Sequence, residues 1–566
     1  MTIQPWVKSY PPKVRRDAPL DLSSVQSVLE KAAGRFGRQP ALDFMGKRTT
    51  YAELDALANR AAAGFQKLGV KPGVHVGLYL PNTPHYVIAF FGVLKAGGTV
   101  VNYSPLDALR TLELKVNDSE TDILVSLNLA ALYPQAEKLL ASTRLKTLVI
   151  GEFAEMTASP GPVKAQMTAA GALAAVKSDG AHVAFRDLID NDGRYQAHPL
   201  GALTDEVAAI QYTGGTTGSP KGAMLTHANL TAACSLYTEV MTRSEEGLRV
   251  GEERFLCILP LFHIYSLTVV MLLGFRLGAE LVLHPRFDPA AALKDIVEKK
   301  ITVYMGVPTM HVAMLSVPGV ETMDFSSLRL CASGGAPLPV AVQERFESVT
   351  GRRLTEGWGM TETSPIGTFT PREGRRRPGS CGVPYPGTEM KFIDVANPER
   401  EVKPGERGEI CVKGPNVTKG YWKKPEATAN SMTADGFFRT GDVGYMDEDG
   451  FVYIVDRTKD MLLCGGFNVY PRNIEEAIYQ HPSVEEVSVI GIPDAYRGET
   501  PKAFVKLKAG APPLTLEEMK AFLKDRLGKH EMISAMEIRD ELPKTPVGKI
   551  SKKDLREYEA RAHANA

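Results

Sequence analysis

The stretch Gln211-Tyr-Thr-Gly-Gly-Thr-Thr-Gly-Ser-Pro-Lys-Gly222 constrains this chain more than any other. Four glycines, three threonines, a serine and a lysine fall within twelve residues. Glycine reaches positive φ without a Cβ penalty, so successive backbone N–H groups can line a concave nest. The hydroxyls and Lys221 add donors and a positive charge. Val207-Ala-Ala-Ile210, just upstream, reads as a short buried strand. Together these predict a strand that runs into a phosphate cradle. The spacing is not that of a Walker A loop, in which lysine lies between glycine and serine or threonine. Here Lys221 lies between Pro220 and Gly222, and Pro220 argues against a helix starting at the lysine.

A chain of 566 residues exceeds what one core supports, so two or more domains are expected. Sixty-six basic residues balance 66 acidic ones, and nothing steers the whole molecule to nucleic acid. The one compact basic run, Arg375-Arg-Arg377, reads as a solvated loop, with a ligand phosphate or an anionic lipid headgroup as the alternative contact. Six scattered cysteines, at 234, 257, 331, 381, 411 and 464, lack metal spacing and fit reduced thiols in the cytoplasm. The N-terminal residues show no basic-then-apolar signal pattern, and Asn-Ala at the end is not a peroxisomal tripeptide. The longest apolar run, Ser266 to Phe275, is half the ~20 residues of a membrane span. Any membrane contact, on the inner face of the cell membrane, is expected to be peripheral.

Helix and strand patterns alternate over the first 150 residues. Thr50-x-x-Glu53 is a capping box opening a helix through Leu68. Helices are expected at His85 to Lys95 and Leu109 to Asn117. Strands are expected at Val74 to Leu80, Thr99 to Asn102, Asp122 to Val125 and Thr147 to Ile150. An Ala/Gly-rich segment from about Glu152 to Gly180 reads as a variable excursion. Composition changes after the strand Phe451 to Val455, at the charged junction Asp456-Arg-Thr-Lys-Asp460. Beyond it short strands are expected at Met461 to Cys464, Val484 to Ile490 and Lys502 to Leu507. Helices are expected at Pro471 to Gln480 and Leu516 to Leu527, the latter capped by Thr515 and stopped by Gly528. The expected fold is α/β: a large N-terminal multi-sheet domain, residues 1–456, with a small mobile C-terminal α+β domain, residues 457–566.

Four further motifs share a chemistry with the loop. Glu356-Gly-Trp-Gly-Met-Thr-Glu362 offers an aromatic ring suited to stacking on a base, a hydroxyl donor and a hard carboxylate. Asp435-Gly-Phe-Phe-Arg-Thr-Gly-Asp-Val-Gly444 continues to Arg457 and Lys459. Pro543-Lys-Thr-Pro-Val-Gly-Lys-Ile550 ends on a lysine, and Leu259-Pro-Leu-Phe-His-Ile-Tyr265 sets His263 in an apolar run. Alone, such a lysine is ordinary surface and such a histidine ordinary core.

Taken together, these motifs and the loop resemble the superfamily of acyl- and aryl-CoA synthetases, luciferases and peptide-synthetase adenylation domains. The resemblance covers most of the chain and is nearest to bacterial long-chain fatty acid–CoA ligases. It implies ATP, Mg²⁺ and coenzyme A as partners of a fatty acid. Thr213, Gly214, Gly215, Thr216, Thr217, Gly218, Ser219 and Lys221 would cradle the β- and γ-phosphates. Trp358, standing where tyrosine is usual, would stack on adenine, with Gly359 beside it and Gly335 in the glycine turn past the base. Thr361 would donate to the α-phosphate, while Glu362 and Thr213 would take the metal. Asp442 and Arg457 would hold the ribose, and Lys549 would act in adenylation. His263 would position the acyl carboxylate rather than act as a base. Lys459 would be the hinge of a rotating small domain, and Gly465 and Gly466 would let pantetheine pass.

The apolar residues after His263 and Tyr304-Met-Gly-Val-Pro308 are expected to wall the acyl pocket, so that a tryptophan at Gly306 would favour shorter acids. The implied reaction is acyl-AMP formation with pyrophosphate release, then transfer to CoA. The alternatives are a coumarate-type aryl-acid ligase, a non-catalytic acyl uptake or carrier protein, and loading onto a carrier protein. Intact Glu362, Asp442 and Lys549 argue against a mere carrier, and no fused carrier domain supports the last. Either a monomer or a homodimer fits the sequence.

Overall fold

The computed structural model describes residues 4–213, 220–244, 246–373, 377–464, 467–494, 496–545 and 548–564. Two seven-stranded sheets dominate. In the first, the strands run in the order His182–Ala184, Thr147–Gly151, Thr121–Leu127, His75–Leu78, Thr99–Asn102, Val207–Thr213 and Lys221–Thr226. In the second the order is Leu354–Glu356, Leu330–Ser333, Val303–Gly306, Arg254–Cys257, Glu280–Leu283, Pro40–Phe44 and Lys47–Thr50. Each sheet is parallel except for one antiparallel edge strand. Parallel strands need crossovers, and the sequence supplies them as helices that bury the sheet faces. One, Pro84–Lys95, is buried all round and lies between other layers.

The local readings hold where local chemistry sets the element. Thr50 and Glu53 close a reciprocal capping box on the helix Tyr51–Lys67, and Thr515 and Glu518 do the same on Leu516–Leu523. That second helix stops five residues before Gly528, because the N–H groups of Arg526 and Leu527 both return to the Leu523 carbonyl. The Ala/Gly-rich excursion forms a helix, Pro160–Ala169, that buries none of its residues. The apolar run after His263 is a broken helix with a π-helical turn at Leu267–Leu272, every residue of which is buried. Among the described residues no helix is long and apolar enough to cross a membrane. All six cysteines are buried and unpaired.

A four-stranded antiparallel sheet (Glu389–Ile393, Gly408–Lys413, Phe438–Met446, Val452–Arg457) precedes a last sheet of five strands. The latter centres on the long pair Val484–Asp494 and Gly498–Leu507, with helices Pro471–Tyr479 and Leu516–Leu523 sharing its core. The helix Lys552–Ala564 packs on the same pair through Leu555, beside Ile490 and Phe504. Of the basic run only Arg377 is among the described residues. Arg377 is ion-paired with Asp449 and covers the Phe451 ring, and Arg375 and Arg376 lie outside the described residues.

Candidate functional site

Several of the described site residues lie at the carboxyl ends of the parallel strands, where open α/β sheets place their ligand crevices. Thr213 ends one strand of the first sheet. In the second, His263, Gly335 and Trp358 follow the strands ending at Cys257, Ser333 and Glu356. The strands flanking the glycine loop pair antiparallel, Val207–Thr213 with Lys221–Thr226, and Thr213 faces Lys221. So Lys221 starts a strand and not a helix, as Pro220 suggested. Gly214, Gly215, Thr216, Thr217, Gly218 and Ser219 lie outside the described residues, as do Gly465 and Gly466. Across this strand pair the Thr213 hydroxyl donates to the Lys221 carbonyl at 3.4 Å, and the Lys221 ammonium stands 5.1 Å from the centre of the Tyr421 ring.

Tyr421 was not expected. The segment around it pairs alongside the Lys221–Thr226 strand. Its hydroxyl donates to Glu362 Oε1 at 2.7 Å. Burial raises the Glu362 pKa, and the Tyr421 hydrogen bond opposes that rise. Asn416 supports the same turn by donating to the Thr363 and Ile366 carbonyls, both at 2.7 Å. Thr361 opens this short helical turn and is half-buried. Gly359 has a steric cause: a Cβ there would sit 1.5 Å from the Pro365 carbonyl oxygen. Only a bare Cα lets the two backbones cross.

Asp442 and Arg457 are cross-strand partners in the antiparallel sheet. Arg457 Nε donates to Asp442 Oδ1 at 2.9 Å, and the indole N–H of Trp358 donates to Asp442 Oδ2 at 2.8 Å. The Arg457 pKa is raised, chiefly by the Asp442 charge.

Lys549 reaches this cluster from far along the chain. Its loop is a tight turn between bridged Lys544 and Ile550, and the Thr309 hydroxyl pins it by donating to the Gly548 carbonyl at 2.6 Å. The side chain lies on Gly335, which has φ +77°; a methyl there would be 3.0 Å from Lys549 Cε. Positive φ and this contact together demand glycine. Burial, then the Arg457 charge, lowers the Lys549 pKa to about 8, against a smaller pull from Asp442.

His263 completes the group. Burial, then the nearby Lys549 charge, holds its pKa at about 3, so the ring is neutral. Its Nδ1 accepts from the Tyr265 N–H at 3.2 Å, which leaves the proton on Nε2. A neutral ring offering a donor can orient a carboxylate, and with its pKa held this low it is too weak a base to take a proton from a carboxylic acid. The approach to His263 is stapled by the other sheet. Asn82 donates to the Cys257 and Leu259 carbonyls and accepts from the Leu261 N–H, while Gln211 donates to the Phe262 carbonyl at 2.7 Å. These amides were missed because nothing in a lone Asn or Gln marks its distant partner.

Lys459 sits exposed in the turn that closes from the Asp460 N–H to the Arg457 carbonyl. The expected acyl wall needs a correction. Strand residues alternate faces, and Tyr304 and Gly306 share the one that meets the outer helices. A Cβ at Gly306 would lie 2.8 Å from the Tyr304 hydroxyl and 3.0 Å from His311 Cε1. A tryptophan there would wreck that packing and not fill a pocket. The residue whose missing side chain meets the His263 segment is Gly334, where a Cβ would lie 3.0 Å from the Tyr265 ring.

Residues 29–422 match the model of the AMP-binding enzyme family, and residues 473–549 match that of the AMP-binding enzyme C-terminal domain. The chain is 40% identical to a long-chain-fatty-acid–CoA ligase of Bacillus subtilis, over 99% of each chain. It is 38% identical to one of Escherichia coli, over 98% of each. Among solved structures it is similar to an anthranilate CoA ligase in complex with anthranoyl-AMP, with TM-score 0.84 and 27% identity over 97% of this chain and 99% of that one. The chain belongs to the AMP-binding enzyme family.

Proposed function

We propose that the chain is an ATP-dependent, AMP-forming ligase that activates long-chain fatty acids and passes them to coenzyme A. The fatty acid carboxylate attacks the α-phosphorus of ATP, giving acyl-AMP and pyrophosphate. The CoA thiol then attacks the acyl carbon and AMP departs. One observation carries the reading: Lys549 rests on Gly335, within the field of Arg457 and Asp442 and close enough to His263 for its charge to act on that ring. A cation there meets the charge that develops between carboxylate and α-phosphate. The Nε2–H of His263 orients the incoming carboxylate, and Thr361 donates to the α-phosphate. Asp442 and Arg457 take the ribose, with Trp358 and Gly359 along the base. The loop from Thr213 to Lys221 takes the outer phosphates.

Glu362, with Thr213, fits Mg²⁺. Glu362 is a buried hard-oxygen ligand, and no group of three or more His, Cys, Asp or Glu able to hold a metal occurs among the described residues. That suits an ion ligated mostly by phosphate and water. When bound, the ion neutralises phosphate charge. Tyr421 fixes the carboxylate that would receive it. Tyr421→Phe is therefore expected to raise the Mg²⁺ concentration for half-maximal pyrophosphate release about tenfold. The Phe ring keeps the contact with Lys221, so an unchanged Mg²⁺ titration would assign the tyrosine to packing alone.

The second half-reaction needs Lys549 withdrawn and CoA admitted. We place the division between residues 1–456 and 457–566, with Lys459 as the hinge and Gly465 and Gly466 beside the pantetheine path. The enzyme would work in the cytoplasm, with at most peripheral contact with the inner face of the cell membrane. Pyrophosphate release on adding ATP and oleate, followed by oleoyl-CoA on adding CoA, tests the whole. Pyrophosphate with anthranilate or coumarate but not oleate would favour an aryl acid, the reading that the likeness to an anthranilate ligase supports.

A further inference from the structure

Trp358 does more here than offer a ring to a base. Its indole is held from three sides. The main-chain N–H donates to the Thr368 hydroxyl at 3.2 Å, and the carbonyl accepts from the Gly367 and Thr368 N–H groups, both at 2.9 Å. The far edge of the ring covers Gly367, where a Cβ would lie 2.4 Å from Cζ3. With backbone and ring edge fixed, Nε1 points at Asp442 Oδ2 from 2.8 Å, across 84 residues of sequence. The other oxygen of that buried carboxylate takes Arg457 Nε at 2.9 Å.

Two donors on opposite oxygens fix both the position and the twist of a carboxylate. Each oxygen keeps a second lone pair, so the clamp leaves acceptors for two vicinal hydroxyls. A bond in the plane of the indole does not use the ring's π face, so it does not compete with a base stacked there. The bond also needs tryptophan. A tyrosine carries its donor at the tip of the ring, whereas the indole carries it on the flank, and a phenylalanine has none.

We infer that Trp358 is a positioning residue for ribose recognition: its indole N–H aims Asp442 at the nucleotide's sugar hydroxyls. The inference rests on the reading of Asp442 as the ribose ligand. The distinctive consequence is sugar discrimination, which a residue serving only the base or the fold would not alter.

The test measures binding of AMP and of 3′-deoxy-AMP by titration calorimetry, without turnover, on the full chain and three variants. These are Asp442→Asn, Trp358→Phe, and a chain with 3-benzothienylalanine at 358, which exchanges the N–H for sulfur at nearly unchanged shape. The wild type is expected to prefer AMP, and losing the Trp358 N–H should cut that preference about fivefold to tenfold. The benzothienyl chain gives the answer even if Trp358→Phe fails to fold. If Asp442→Asn loses the preference while both Trp358 replacements keep it, the indole is not the positioning group, and the ribose reading stands. If Asp442→Asn keeps the preference, Asp442 is not the ribose ligand and the inference falls with that reading.

Discussion

Lys549→Ala is expected to lower the rate of acyl-AMP formation by about 10²–10³ while sparing attack of CoA on supplied acyl-AMP. The ammonium lies at the strand ends in the orientation seen here, pinned through Gly548 and Thr309 and laid over Gly335. On the proposed reading it meets charge at the α-phosphate and has no task once AMP is the leaving group. The two half-reactions are separable: pyrophosphate release reads the first, and acyl-CoA from purified acyl-AMP reads the second. Equal loss of both would mean that the lysine serves the fold or both steps. A pH limb should accompany the effect. Burial and Arg457 favour the neutral amine, so the cation persists below about 8 and is lost above it. In the wild type, kcat/KM for ATP in the first half-reaction should fall as pH rises through that value, because this parameter reports the free enzyme. The fall in kcat should come at higher pH, since bound phosphates stabilise the cation. The alanine variant should lack the limb altogether.

How much of this was legible depends on the distance over which each feature is made. Both capping boxes were read from four residues, because the donors and acceptors that close them lie within one turn. Some strands were read from apolar runs, Thr99 to Asn102 and Thr147 to Ile150 among them, but most strands of the second sheet were not named, and strand order was not read at all. Pro40–Phe44 pairs with Glu280–Leu283, some 240 residues away, and nothing in either segment names the other. The same limit explains the site. The motifs carrying Glu362 and Asp442 were read as whole signatures through the family resemblance, and Lys549, ordinary surface by itself, only through it. The groups that hold them, Tyr421 on Glu362 and Trp358 on Asp442, are single aromatic residues whose partners come from elsewhere. Trp358 could be read as a ring but not as a donor with an address.

The error over Gly306 is of another kind. Tyr304, Met305 and Gly306 are consecutive in one strand, so they cannot all face one pocket. Alternation alone would have set Tyr304 and Gly306 apart from Met305. What it could not give is which face carries the outer helices, where Tyr304 stacks on Phe346 and bonds to His311. That is decided by the crossovers between the strands.

The corrected geometry moves the substrate prediction to Gly334. A fatty acid presents one charge and a featureless chain, so selectivity must come from apolar burial. Each methylene that enters a dry pocket is worth roughly 0.8 kcal/mol, about fourfold in kcat/KM, until the pocket ends. We expect kcat/KM to climb from about C8 to at least C12, close to 200-fold over four methylenes if each is fully buried. Of the residues after His263, Leu267 to Leu272 form one buried helical turn that is apolar apart from Thr268, and on the proposed reading one side of that turn borders the acyl chain. Gly334 lies against the Tyr265 ring, with its Cβ position 3.0 Å from the ring and 3.1 Å from the hydroxyl. Gly334→Val would thrust two methyl groups into that contact and displace the ring, which on the proposed reading borders the acyl chain. It should move the optimum to shorter acids and flatten the climb, while KM for ATP stays within about twofold, because overpacking is felt locally. The measurement is a series of saturated acids from C4 to C18, with coumarate, benzoate and anthranilate alongside, on wild type and variant. A wild-type peak at C4, or a preference for any of the three aryl acids, would overturn the long-chain assignment and leave the ligase class standing. An unshifted optimum in Gly334→Val would instead place the chain somewhere other than beside Tyr265.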